Sequence, residues 1–60
     1  MKTIEEARKA TNNAFRAREE AAEALKTAEI ANLPKAVRQF REANEAYVET
    51  LEEQVRLILE

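Results

Sequence analysis

Alanine recurs through the first half of the chain at alternating intervals of three and four residues. The series consists of Ala7, Ala10, Ala14, Ala17, Ala21, Ala24, Ala28 and Ala31. This alternation places residues on one helix face, at the a and d positions of a heptad repeat. Alanine combines a small side chain with high helix propensity. The pattern therefore predicts a long helix that a second helix can approach closely.

Local signals mark both ends of this first helix. Thr3 followed by Glu6 fits a capping box, in which the threonine hydroxyl accepts from the backbone N–H of the glutamate. The first breaker after that point is Pro34, which disfavours the helical conformation at the residue before it. Asn32 is the residue that we expect to leave helical dihedral angles, as a C-cap or as the N-cap of the next helix.

These signals predict an all-α chain made of two long antiparallel helices. We expect helices over about residues 3–31 and 34–59, joined by a turn at 32–34, in one helical-hairpin domain spanning 1–60. Pro34 is tolerated in the first turn of a helix because its missing N–H has no partner there. A single long helix kinked at the proline is the alternative.

The second helix also has large apolar residues at intervals of three and four. Folding the chain at the turn predicts that small residues of helix 1 face larger residues of helix 2 along its length. The expected pairs are Ala7 with Ile58, Ala10 with Val55, Ala14 with Leu51, Ala17 with Val48, Ala21 with Asn44, Ala24 with Phe40 or Arg41, and Ala28 with Val37.

Several large side chains remain outside this expected contact, and a chain of 60 residues buries little surface on its own. We therefore expect self-association, most simply as a homodimer that forms a four-helix bundle, with a trimer or higher oligomer left open. The predicted oligomer interface comprises Phe15, Leu25, Phe40, Asn44, Tyr47, Leu57, Ile58 and Leu59. Asn44 has two interpretations: a buried amide that fixes the pairing of helices, or a ligand contact.

The composition excludes most enzyme classes. The chain has no His, Cys, Ser, Asp or Gly, so it lacks the usual nucleophiles, the usual general base and any glycine-rich phosphate loop. We expect no catalytic residues, no metal and no cofactor. No apolar run is long enough for a membrane span, and the N-terminal residues lack the apolar segment of a signal peptide, so we expect a cytoplasmic protein.

The remaining function classes are binding classes. The leading prediction is a protein–protein interaction or oligomerisation module with an assembly or regulatory role, and the acidic surface of helix 2 would suit a basic protein partner. The alternative is a nucleic-acid-binding regulator that uses a strip on helix 1 formed by Lys9, Asn12, Asn13 and Arg16. That strip can also be an ordinary solvated helix face, and the net charge of −2 does not favour a polyanion. An engineered bundle without biological function is a third possibility.

Two resemblances concern architecture. The plan of a two-helix chain that dimerises is similar to that of the small plasmid RNA-binding repressor Rop, without a sequence match from which residues could be transferred. A short stretch resembles the turn and second helix of a tetratricopeptide repeat, through Asn32, Leu33, Ala36, Phe40 and Ala43. Glu20, Glu23 and Thr27 stand where that family has large apolar residues, so we interpret this likeness as convergent helix packing.

Overall fold

The computed structural model describes residues 2–60, so Met1, which the predicted domain includes, lies outside the described residues. Helix α1 spans Ile4–Thr27, a 3₁₀ turn spans Ile30–Asn32, and helix α2 spans Leu33–Leu59. The two helices pack side by side in an elongated body of 46 × 14 × 13 Å. The predicted all-α hairpin is confirmed, and the alternative of a single kinked helix is wrong.

The start of α1 follows from its capping residue. The backbone N–H of Glu6 donates to the hydroxyl oxygen of Thr3 at 3.1 Å, and the N–H of Ala7 donates to the Thr3 carbonyl at 2.9 Å. The predicted cap is confirmed. The Thr3 hydroxyl also donates to the Glu6 carboxylate at 3.3 Å, so the side chains of both residues take part in the cap. Glu5 and Glu6 place negative charge at the positive end of the helix dipole.

The end of α1 lies four residues earlier than the predicted residue 31. Thr27 ends the helix, and its hydroxyl donates to the carbonyls of Glu23 and Ala24 at 3.2 and 3.4 Å. Ala28 and Glu29 then adopt extended dihedral angles. The chain must leave the helical conformation to reverse its direction, and these residues do so in place of Asn32.

Asn32 occupies the N-cap position of α2, one of the two positions predicted for it, but with φ −99° and ψ −2° and without a side-chain capping bond. Leu33 has helical angles, φ −59° and ψ −44°, although a proline follows it. Pro34 occupies the first turn of α2, as predicted. The steric preference at Leu33 is overridden because the preceding 3₁₀ turn already leads into the helix.

The contact between the helices follows one stripe on each, which we call the hairpin seam. Its members are half-buried or buried and recur at intervals of three and four: Ala7, Thr11, Ala14, Arg18, Ala21 and Leu25 on α1, Ala28 directly after α1, and Ala36, Phe40, Ala43, Tyr47, Thr50, Gln54 and Leu57 on α2. Half of the alanine series belongs to the seam, whereas Ala17, Ala24 and Ala31 are exposed.

The predicted alignment along the axis agrees with this contact, but the predicted facing of the helices is wrong. Thr11 hydrogen-bonds Gln54 and Arg18 lies over the ring of Tyr47, each within one residue of a predicted pair. On α2, however, the seam lies one residue position before the aliphatic stripe that was expected to meet the alanines. The physical reason is the size of Phe40 and Tyr47, whose rings gain more from contact with α1 than valines do.

Candidate interaction surface

A second row of large apolar side chains runs along α2 outside the hairpin seam. We call it the apolar stripe; its members are Leu33, Val37, Val48, Leu51, Val55 and Ile58. Each of them is between 38 and 61% exposed. From Val37 onwards each stripe position follows a seam position by one residue, about 100° around the helix, so the stripe faces sideways from the hairpin. Helix α1 therefore leaves it largely uncovered.

One aromatic side chain of α1 borders this stripe. The ring of Phe15 lies 5.7 Å from that of Tyr47 with a tilt of 57°, a favourable geometry for an aromatic pair. Phe15 is still 45% exposed. Arg18 stands one turn further along the same side of α1 and reaches Asn44, which lies between members of the stripe in sequence. Phe15 therefore extends the apolar surface from α2 onto α1.

A guanidinium group occupies the middle of the hairpin seam. The Cζ atom of Arg18 lies 5.9 Å from the ring centre of Phe40 and 5.5 Å from that of Tyr47. Its Nε–H donates to Asn44 Oδ1 at 2.9 Å. Its Nη1 lies 3.7 Å from a Glu19 carboxylate oxygen in a solvent-exposed pair. Two cation–π contacts and one charge-assisted hydrogen bond thus hold the two helices together at this level.

Sequence reasoning missed Arg18 as a site residue. Arg18 lies four residues after Ala14 and three before Ala21, so it shares their face of the helix. An arginine at such a position is nevertheless normally assigned to the surface. Asn44 was predicted either to fix the pairing of helices through a buried amide or to contact a ligand. It is half-buried, and its Oδ1 accepts from Arg18 of α1, while its amide nitrogen carries two further N–H donors.

A second polar pair lies nearer the chain ends. Thr11 is 8% exposed, and its hydroxyl lies 2.7 Å from Gln54 Oε1 and 2.9 Å from the Ala7 carbonyl. The hydroxyl has one proton and donates to one of these oxygens at a time. The contact between Thr11 and Gln54 favours one axial alignment of the helices, because it is lost when one helix slides along the other.

The predicted oligomer-interface residues separate into two groups. Phe15, Ile58 and Leu59 are exposed and available to a partner. The others are half-buried within a single hairpin: Leu25, Phe40, Asn44, Tyr47 and Leu57. The hairpin itself therefore uses much of the surface that was assigned to oligomerisation, and the aliphatic stripe takes the exposed position.

The other candidate features are not members of the stripe. Lys9, Asn12, Asn13 and Arg16 are all exposed on α1, and within residues 2–60 the ion pairs involve Lys2 with Glu53 and Arg18 with Glu19. An open, shallow depression near the turn is lined by Ala24, Ala28, Asn32, Lys35, Ala36 and Gln39. In the part of the chain that is described, no group of acidic side chains is arranged to hold a metal ion. Neither described helix is long and apolar enough to cross a membrane.

Comparison with models of protein families, with curated proteins and with solved structures gave no significant match. The candidate surface is therefore defined by the contacts and exposure of the chain's own residues.

Proposed function

We propose that this chain is a non-enzymatic oligomerisation module whose apolar stripe binds a second copy of the same hairpin. The observation that carries the proposal is the contrast between what is buried and what is exposed. Among residues 2–60 the buried side chains are Ala7, Thr11 and Ala36, all of them small. The six aliphatic residues of the stripe, together with Phe15, remain substantially exposed.

The exposed side chains can contribute substantial free energy on association. Complete burial of a Val, Leu, Ile or Phe side chain is worth about 1.5–3 kcal/mol. Side chains that are 38–61% exposed retain roughly half of that value, about 1 kcal/mol each. Seven such residues on each of two copies supply on the order of 10 kcal/mol, before the cost of association is subtracted.

A second copy fits this surface because the stripe extends along nearly the whole of α2. Two identical faces can pair around a two-fold axis, with each copy burying the same residues. The product is a four-helix bundle in which α2 of each copy lies at the centre of the contact. The absence of His, Cys, Ser and Asp from the sequence supports a role in assembly or regulation over catalysis.

The proposal is tested by placing a charge in the stripe. Val55→Lys puts an ammonium group at a stripe position that is 54% exposed, and we expect it to weaken self-association at least tenfold because a buried unpaired charge is costly. Ala17→Lys is the matched control, since it adds the same charge at an exposed position of α1 outside the stripe. Analytical ultracentrifugation measures the dissociation constant, and circular dichroism checks that each variant is helical.

Two results would contradict the proposal. One is a wild-type chain that sediments as a helical monomer throughout the micromolar range. The other is an oligomer that Val55→Lys leaves intact while Ala17→Lys dissociates it, which would place the contact on the alanine side of α1.

A nucleic-acid-binding role is a second candidate, supported by the exposure of Lys9, Asn12, Asn13 and Arg16. Lys9 and Arg16 are seven residues apart, so they lie on one line of α1, and a two-fold dimer would present this strip twice. Phosphate contacts make binding fall steeply with salt. Fluorescence anisotropy with labelled RNA and DNA duplexes at low salt tests this role, and no binding by the wild type at low salt would remove it.

A further inference from the structure

The last turns of α2 carry charges of both signs, Glu53 and Arg56, but the charges up to residue 52 are segregated along the helix. The first third carries Lys35, Arg38 and Arg41, and the part that follows carries Glu42, Glu45, Glu49 and Glu52. All seven side chains are exposed. A helix with such polarity interacts differently with a parallel and an antiparallel copy of itself.

Three of these residues form one edge of the apolar stripe. Arg38, Glu45 and Glu52 directly follow Val37, Asn44 and Leu51, and they are spaced by seven residues. They therefore lie on one line along α2, on the side of the stripe that faces away from α1. We call this line the outer edge.

We infer that two copies dock antiparallel, α2 against α2, with Arg38 of each copy beside Glu52 of the other copy. This inference rests on the proposed self-association through the stripe. In an antiparallel pair the outer edges of the two stripes run side by side in opposite directions, so the basic start of one lies next to the acidic part of the other. Two attractive pairs form around the two-fold axis.

The spacing of the stripe supports the same arrangement. Four members of the stripe, Val37, Val48, Leu51 and Val55, form with the intervening polar residues Arg41 and Asn44 a series that is symmetrical about its midpoint. Antiparallel docking then sets Val37 against Val55 of the other copy and Asn44 against Val48. Arg41 meets Leu51 of the other copy, where its apolar stem covers the leucine while its guanidinium extends towards the acidic edge.

The parallel arrangement lacks these compensations. There the outer edge of one stripe lies against the opposite edge of the other stripe, which is formed by Phe40, Tyr47 and Gln54. Glu45 and Glu52 would face aromatic and amide side chains, and the cation at that edge, Arg18, is already engaged by both rings and by Asn44 of its own hairpin. The antiparallel arrangement brings the two Glu45 side chains close to each other near the axis, and Arg41 at the preceding turn of each helix offsets this repulsion.

Cross-linking measures the orientation directly, because the chain contains no cysteine. Single-cysteine variants Arg38→Cys, Glu45→Cys and Glu52→Cys of the full chain are treated with a short bismaleimide, and products are identified by intact mass. We expect Glu45→Cys to link to itself. We expect a mixture of Arg38→Cys and Glu52→Cys to give the mixed product in preference to either self-linked product.

The outcomes separate this inference from the proposed function. Self-linking of Arg38→Cys as efficient as that of Glu45→Cys would overturn the antiparallel orientation and leave self-association standing. A dimer by light scattering in which Glu45→Cys does not link would overturn the contact between the two α2 helices. A helical monomer would overturn both proposals.

A charge exchange provides an independent measurement. Glu52→Arg turns two attractive pairs into two repulsive ones, and we expect it to weaken dimerisation about tenfold at low salt. Arg38→Glu combined with Glu52→Arg restores the wild-type dissociation constant. Glu49→Arg, an equal charge change on the solvent side of α2, is the control and stays within about twofold. Equal effects of Glu52→Arg and Glu49→Arg would overturn the pairing.

Discussion

Replacing Arg18 with alanine tests the central contact of the hairpin. The substitution removes the hydrogen bond to Asn44 Oδ1 at 2.9 Å and the two contacts of the guanidinium with Phe40 and Tyr47. It also leaves the half-buried amide of Asn44 without its partner on α1. We expect a less stable hairpin, although alanine is the better helix former by a few tenths of a kcal/mol.

The magnitude follows from the individual contacts. A hydrogen bond to a charged group contributes about 1.5–3 kcal/mol, and the lower end applies because the side chain of Arg18 is 33% exposed. Each cation–π contact adds about 0.5 kcal/mol at a partly solvated site. The exposed pair with Glu19 at 3.7 Å adds little. The expected loss is about 2–3 kcal/mol, or a fall in Tm of roughly 10–20 °C for a domain of this size.

Thermal and urea unfolding, followed by circular dichroism, measure this loss. The chain concentration is held fixed, because the proposed self-association would make stability depend on it. Arg18→Lys keeps the charge and the apolar stem but has no planar group to stack or to donate from Nε, so it should lose about half as much. A double-mutant cycle with Asn44→Ala should give a coupling of about 1 kcal/mol. An Arg18→Ala loss below about 0.5 kcal/mol, or a lysine variant as stable as the wild type, would refute the reasoning.

Two further predictions concern the hairpin seam. Thr11→Val should destabilise the hairpin by about 1 kcal/mol in urea unfolding, because Gln54 loses its partner. Adding Gln54→Leu should recover most of the lost stability, since no unpaired amide then remains. A double variant no more stable than Thr11→Val alone would contradict this explanation. Ala14→Leu should cost about 1–3 kcal/mol in the same assay, because this half-buried position has little room, whereas Ala17→Leu at an exposed position should change stability by less than about 0.5 kcal/mol. The opposite order would mean that α1 contacts α2 through the side that carries Ala17 and not through the hairpin seam.

Features that depend on local chemistry could be predicted from the sequence. The cap at Thr3, the place of Pro34 in the first turn of α2 and the hairpin itself all follow from residues close together in the chain. The axial alignment was also close, because two helices of similar length joined by a short turn have few ways to align. The end of α1 was not predictable in this way, since Ala28 and Ala31 are good helix formers and only the reversal of the chain interrupts them.

The facing of the helices could not be predicted because periodicity allowed two answers on each helix. On α2, the seam through Tyr47 and the stripe through Val48 have the same intervals and are offset by one residue. On α1, alanines lie at the seam and beside it, so small size did not distinguish the two. The choice depends on Arg18 contacting both rings across the seam, and periodicity says nothing about such a contact.

The offset of one residue determines which side chains serve folding and which remain for a partner. Gln54 bonds α1 through Thr11, whereas Val55, the next residue, lies in the exposed stripe. Arg18 couples the two surfaces, because it holds Asn44 at the border between the seam and the stripe. A loose hairpin would let α2 rotate and would disorder the stripe, so in the proposed dimer closure of the hairpin and docking of a second copy would stabilise each other. Substitutions in the seam should therefore weaken both folding and association, whereas substitutions in the stripe should act on association first.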